Sequence, residues 1–91
     1  MKLRVDVKKS HIKNGQRDSG KYCPIALAIK SVMNTDNFYV ISSKIRGYDK
    51  NDKYFMALLP TEAKKFIKKF DNLDNPKNKF VPFSFDIEIC Y

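Results

Sequence analysis

Cys23 and His11 are the side chains of this chain best suited to nucleophilic chemistry. The reactive form of cysteine is the thiolate, which a helix N-terminus and a nearby cation stabilise. Cys23 stands directly before Pro24, with Lys21 two positions upstream. His11 is the single histidine, so it is the one candidate imidazole base, and Asp18 could orient it. A proline directly after the cysteine has no catalytic logic, however, and free cysteine is among the most buried residue types. The reading kept is a buried thiol at a helix entrance, with no catalytic residue assigned. Two cysteines and one histidine also fall short of the four close ligands of a structural zinc site, so neither metal nor cofactor is expected.

Three other constellations suggest binding. Arg17, Ser19, Gly20 and Lys21 lead into the same helix start, where free N–H groups attract anions; a small ligand or nucleotide is the corresponding expectation. No phosphate-loop or dinucleotide fingerprint accompanies them. Lys64, Lys65, Lys68 and Lys69 share one side of a predicted helix and could meet phosphates, as could any solvated helix face. Arg46, Tyr48, Lys50 and Lys53 combine aromatic and basic character around Gly47, which suits a protein interface or stacking on bases.

The elements that position these groups follow from periodicity. Residues 2–8 alternate, with Leu3, Val5 and Val7 on one face, and read as a half-buried strand. Ser10 to Gly15 reads as one helical turn, capped by Ser10 and ended by Gly15. A polar loop at Gln16–Tyr22 precedes a helix over Cys23–Met33 with Pro24 at its first position. Its stripe is Ile25, Ala28, Ile29 and Val32, and Leu27 extends apolar surface around it. That pattern predicts nearly complete burial, packing against the last strand, and a cover over Leu27 from another helix, the loop or a second subunit. A second strand runs from Phe38 to about Ile45, and Arg46–Lys53 reads as a turn. Tyr54–Leu58 is a third strand. A helix follows Pro60, with Thr61 as cap and Ala63, Phe66, Ile67 and Phe70 buried. The last strand points Val81, Phe83, Phe85, Ile87 and Ile89 inward.

The order is β-α(short)-α-β-β-α-β. Lys2, Arg4 and Lys8 face outward on the first strand, Asp86 and Glu88 on the last. Opposite charges attract across neighbouring strands, so these two strands are expected to be adjacent. The expected fold is α+β: one domain over 1–91, a four-stranded, mainly antiparallel sheet with two main helices on one face.

The chain has 91 residues and a net charge of +8, with 43% apolar residues, enough for a small core. Residues 1–22 carry seven basic and two acidic side chains, so the positive charge is concentrated there. A positive field favours polyanions or acidic protein surfaces. Fifteen of the basic residues are Lys and three are Arg, which is also what an AT-rich genome would produce. No apolar run could span a bilayer, and early charges argue against a signal peptide, so a cytoplasmic protein without a membrane partner is expected.

Several segments together resemble a family. His11-Ile12-x-x-Gly15, Cys23-Pro24-Ile25-Ala26-Leu27-Ala28-Ile29, Leu59-Pro60-x-x-Ala63 with Phe66-Ile67 and Phe70-Asp71, and Val81-Pro82-Phe83-Ser84-Phe85 look like the pattern of a group of small bacteriophage accessory proteins. The likeness spans nearly the whole chain, with departures at the Lys-rich turn around Gly47 and the loop at Asp71–Asn78. It implies a phage protein acting in the cytoplasm of a bacterial host, and brings no site residues. The expectation is a non-enzymatic binding protein, monomer or homodimer, that modulates a host protein complex by occluding its surface. A nucleic-acid-handling or anti-phage defence system is the expected target. The alternatives are direct nucleic-acid binding through the basic faces and ligand binding at Ser19–Cys23.

Overall fold

Alternating side-chain character sets the strands, and apolar stripes set the helices. The computed structural model describes residues 1–41 and 43–91. Its elements are β1 (Lys2–Val7), α1 (Lys9–Asn14), α2 (Pro24–Met33), β2 (Phe38–Ile41), β3 (Lys44–Tyr48), β4 (Tyr54–Leu58), α3 (Thr61–Asp71), a 3-10 turn at Lys77–Lys79, and β5 (Phe83–Glu88). The fold is α+β, and its five strands pair antiparallel throughout.

The first and last strands are neighbours, as the charges require. Lys2 stands opposite Glu88 and Arg4 opposite Asp86. Arg4 Nη1 lies 3.9 Å from Asp86 Oδ1. The pair is exposed, so its contribution is about 0.2–1 kcal/mol. Val5, Val7, Phe85 and Ile87 turn the other way into the core.

The expected four-stranded sheet is instead two sheets, β1-β5 and β2-β3-β4. Among the described residues one isolated bridge joins them, in which the Met56 and Cys90 N–H groups each donate to the other's carbonyl at 2.8 Å. The extra strand comes from the segment read as a turn. Tyr39 faces Arg46 and Ile41 faces Lys44, so the chain reverses between Ile41 and Lys44; Ser42, inside the strand expected to reach Ile45, lies outside the described residues. Gly47 serves packing rather than turning. It sits in register between Phe38 and Phe55, whose ring centroids are 6.4 Å apart. A Cβ there would lie 2.4 Å from the Phe38 Cα. The true turn is Asp49–Lys53, where the Asp49 carboxylate accepts from the N–H groups of Asn51 (2.8 Å) and Lys53 (3.0 Å).

Caps differ from expectation at two helices. Lys8, not Ser10, precedes α1, and its N–H donates to His11 Nδ1 at 3.0 Å. Gly15 does end α1, but at φ −70°, so no left-handed turn demands glycine there. The Pro24 ring does: a Cβ at Gly15 would be 2.6 Å from it. Pro60 precedes α3 and Thr61 is its first residue, because the Pro60 carbonyl already accepts from Ala63 and Lys64 (both 3.1 Å). Cys23 caps α2, with Sγ accepting from the Ala26 N–H at 3.4 Å, and Pro24 follows at the first helical position.

Burial of α2 is centred on its first two turns. Ile25, Ala26, Ala28 and Ile29 are enclosed, Leu27 is half-buried, and Val32 is 38% exposed. The expected near-complete burial is therefore not reached. The helix packs chiefly on β1 and α1 and also meets β2, rather than docking mainly on the last strand as expected. Ala26 and Ala28, both fully enclosed, are small enough to let the helix approach its neighbours closely. Val81 also departs from expectation, being 72% exposed. Pro82 has no N–H for a ladder, so pairing begins only at Phe83. Buried residues of all five strands and three α-helices merge into one core that includes Ile25, Ile45, Phe55 and Phe70. Enclosing one such side chain contributes about 1.5–3 kcal/mol.

Candidate functional site

The alternation that buries Phe38, Val40, Ile45, Phe55 and Ala57 turns the intervening residues of β2, β3 and β4 outward. The register arranges them in rows: Ile41, Lys44 and Leu58; Tyr39, Arg46 and Met56; Tyr48 and Tyr54. Leu58 is 68% exposed, Tyr39 55% and Ile41 42%. The Tyr48 and Tyr54 rings meet edge to face at 5.8 Å. The bridge at Met56 continues this face toward Cys90 and Tyr91.

The other sheet shows how a plainly solvated face looks in this protein. Outward residues of β1 and β5 are Lys2, Arg4, Asp6, Asp86 and Glu88, with Ser84 donating to Asp6. The three-stranded sheet presents Tyr, Ile, Leu and Met around Arg46 instead, with Lys44 as the one lysine of its rows. Interfaces are enriched in Tyr, Met and Arg and depleted in Lys, Glu and Asp. Among the described residues the ion pairs are Met1–Glu88, Arg4–Asp6 and Arg4–Asp86, so the Arg46 guanidinium is in none of them.

Arg46 and Tyr48, expected in a loop, are strand residues on this face, while Lys50 and Lys53 lie in the turn at its end. That turn is well anchored. The Lys53 N–H holds the Asp49 carboxyl below its usual range, and a hydrogen bond with Asp49 pushes the Tyr91 hydroxyl up. Sequence reasoning missed Tyr39, Ile41, Met56 and Leu58 as surface residues. A signal was available: Tyr54-Phe55-Met56-Ala57-Leu58 is apolar at every position, and so small a chain has little to cover both sides of a strand.

The helix entrance is occupied by structural contacts. The Arg17 guanidinium donates to the carbonyls of Phe70, Asn72 and Asn75, the last two at 2.7 Å, and lies 5.1 Å over the Phe70 ring. Ser19 Oγ accepts from the Tyr22 N–H (3.0 Å), and the Gly20 carbonyl accepts from the Val40 N–H (2.8 Å). Lys21 Nζ sits 5.1 Å over the Tyr39 ring, at the margin of the sheet face. The cavity at this place, about 220 Å3, has Asp18 and Asp71 in its wall. Arg17 therefore ties the loop to α3, Gly20 and Lys21 tie it to the second sheet, Ser19 braces the loop internally, and two carboxylates stand where an anion was expected.

Cys23 and His11 have separate partners. Burial pushes the Cys23 thiol up, which disfavours the thiolate. His11 accepts from Lys8 and meets Ser31 Oγ at 3.4 Å through Nε2. Among the described residues no cluster of His, Cys, Asp and Glu could hold a metal ion, and no helix is long and apolar enough to cross a membrane. The four lysines of α3 are exposed, and they divide: Lys65 and Lys69 border a groove, whereas Lys64 and Lys68 are outside its lining.

Compared with protein-family models, curated proteins and solved structures, the chain matches none.

Proposed function

We propose that this chain is a phage-encoded, non-enzymatic binding protein that occludes a surface of a host protein complex with the outward face of β2, β3 and β4. The observation that carries the reading is the contrast between the two sheets, one with a charged outer face and one with exposed Tyr39, Ile41, Tyr48, Tyr54 and Leu58 around Arg46. Rigid aromatic side chains and an arginine are the residue types that dominate binding energy at interfaces. Arg46 and Lys44 make the face basic, while Lys50 and Lys53 in the turn are balanced by Asp49 and Asp52, so the complementary partner is an acidic surface with apolar patches. The resemblance to phage accessory proteins supplies the setting, a bacterial host with nucleic-acid-handling or defence complexes as targets.

The test is capture from host lysate followed by reconstitution with the purified captured protein. Tyr39→Ser, Arg46→Glu and Leu58→Ser, each checked for folding by circular dichroism, are expected to weaken that complex. A central position should cost about 2 kcal/mol or more, roughly 30-fold in affinity. Lys2→Glu, on the other sheet, should leave it unchanged. Equal binding by all variants would overturn the proposal. So would a result in which the sheet-face variants only dissociate a homodimer and partner binding persists.

A further inference from the structure

A groove of about 550 Å3 lies between α3 and the segment leading into β5. None of its lining residues belongs to the sheet face. Its apolar lining includes Phe66, Phe80 and Phe83, with Phe80 and Phe83 centroids 5.2 and 5.0 Å from that of Phe66. Its cations come from both walls, Lys65 and Lys69 from α3 and Lys79 from the 3-10 turn. Lys65 and Lys69 are one helical turn apart, so they stand side by side.

The wall formed by the 3-10 turn is braced from several directions. Asn75 Nδ2 donates to the Lys69 carbonyl at 3.1 Å, and the Asn75 carbonyl accepts from Arg17. Lys77 Nζ donates to the carbonyls of Gly15 (2.7 Å) and Lys13 (3.2 Å) at the end of α1. The two walls are thus held at a set separation before any ligand arrives, which reduces the ordering cost of binding.

Cations around an aromatic lining select a ligand with a flat apolar body and negative charge on its flanks. We infer that this groove binds single-stranded nucleic acid, taking a base against Phe80 and Phe83 and the flanking phosphates on Lys65, Lys69 and Lys79. Stacking on aromatic side chains is tolerant of sequence, and lysines act on phosphates as point charges. Glu62, also in the lining, offers a base a hydrogen-bond acceptor. Its carboxylate accepts a hydrogen bond from the amino edge of a base, while the phosphates must keep to Lys65, Lys69 and Lys79.

The experiment is fluorescence anisotropy with a labelled 12-nucleotide single-stranded DNA across a salt series, with poly-glutamate of equal charge as competitor. The intact protein is expected to bind the DNA, and poly-glutamate should compete at least tenfold less well than unlabelled DNA. Combined Lys65→Gln, Lys69→Gln and Lys79→Gln should weaken binding at least tenfold at low salt. It should also make the log–log salt slope shallower by about 2, because each phosphate neutralised on a single strand accounts for roughly 0.7 of slope. Lys64→Gln with Lys68→Gln should weaken binding less than twofold. Phe80→Leu, its folding verified by thermal melting, should weaken binding about fivefold or more with the slope unchanged. No binding at low salt, equal effects of the two lysine sets, or poly-glutamate competing as well as DNA would each overturn the inference.

Discussion

Two cysteines in one chain meet opposite environments. Cys23 is buried and serves as a helix cap, and burial raises its pKa, whereas Cys90 is exposed. Alkylation with iodoacetamide at neutral pH is therefore expected to modify Cys90 and leave Cys23 intact until the protein is denatured, as peptide mass spectrometry would read. His11 has a comparable structural duty, closing the first turn of α1 by accepting from the Lys8 N–H. Desolvation and the Lys8 charge lower its pKa from the ordinary 6.5. A group whose folded pKa is depressed favours its neutral form in the fold. His11 thus adds stability that is complete above the ordinary value and lost as pH falls through the lower folded value. Glutamine at this position keeps an acceptor without titrating. His11→Gln should match the parent melting temperature at pH 7.5 and exceed it at pH 5; parallel curves for the two proteins would refute this role.

At the scale of elements, the β2–β3 pair depends on a missing side chain. Gly47 has the Asn37 carbonyl oxygen 2.3 Å and the Phe38 Cα 2.4 Å from where a Cβ would stand. Both obstacles are backbone, so no rotamer change relieves them. Gly47→Ala should cost about 1–3 kcal/mol by overpacking, measured by urea denaturation. A cost near zero would mean that β2 shifts freely, and the rows of the sheet face would then not be held in register. Capping follows the same logic of local contacts deciding outcomes. Ser10 and Thr61 are good caps by type, yet Lys8 and Pro60 hold those positions. In each case the backbone groups at the helix start have another partner, His11 in one and the Pro60 carbonyl in the other.

For the whole molecule, the Arg17 side chain is the tie between remote parts. It reaches from the loop after α1 to three carbonyls at and beyond the C-terminal end of α3, and α3 carries Phe66 and Phe70 into the core. Hydrogen bonds from a charged group contribute about 1.5–3 kcal/mol. Arg17→Gln is expected to lower the melting temperature by roughly 10 °C in a domain of this size. Arg17→Lys should recover little, because one ammonium cannot span three acceptors in the fork of a guanidinium. Full recovery by lysine would show that charge alone matters at this site.

Period-two and helical patterns reported on local geometry at most positions, though not at Val32 and Val81, which are exposed. Val5 and Val7, Phe85 and Ile87, and Ala63, Phe66 and Phe70 are buried where their spacing placed them, and opposite charges on the terminal strands marked β1 and β5 as neighbours. Tertiary structure decided whatever depended on a distant partner. Gly47 could mark a turn or a tight crossing, and only Phe38 and Phe55 on either side of it settled the choice. Arg17 could serve an anion or a helix end, and the carbonyls of Phe70, Asn72 and Asn75, more than fifty residues away, claimed it. Tyr39, Ile41 and Leu58 are apolar in sequence whether enclosed or bare. Which face of a strand is covered depends on what packs there, and that is a property of the assembled chain rather than of any one segment.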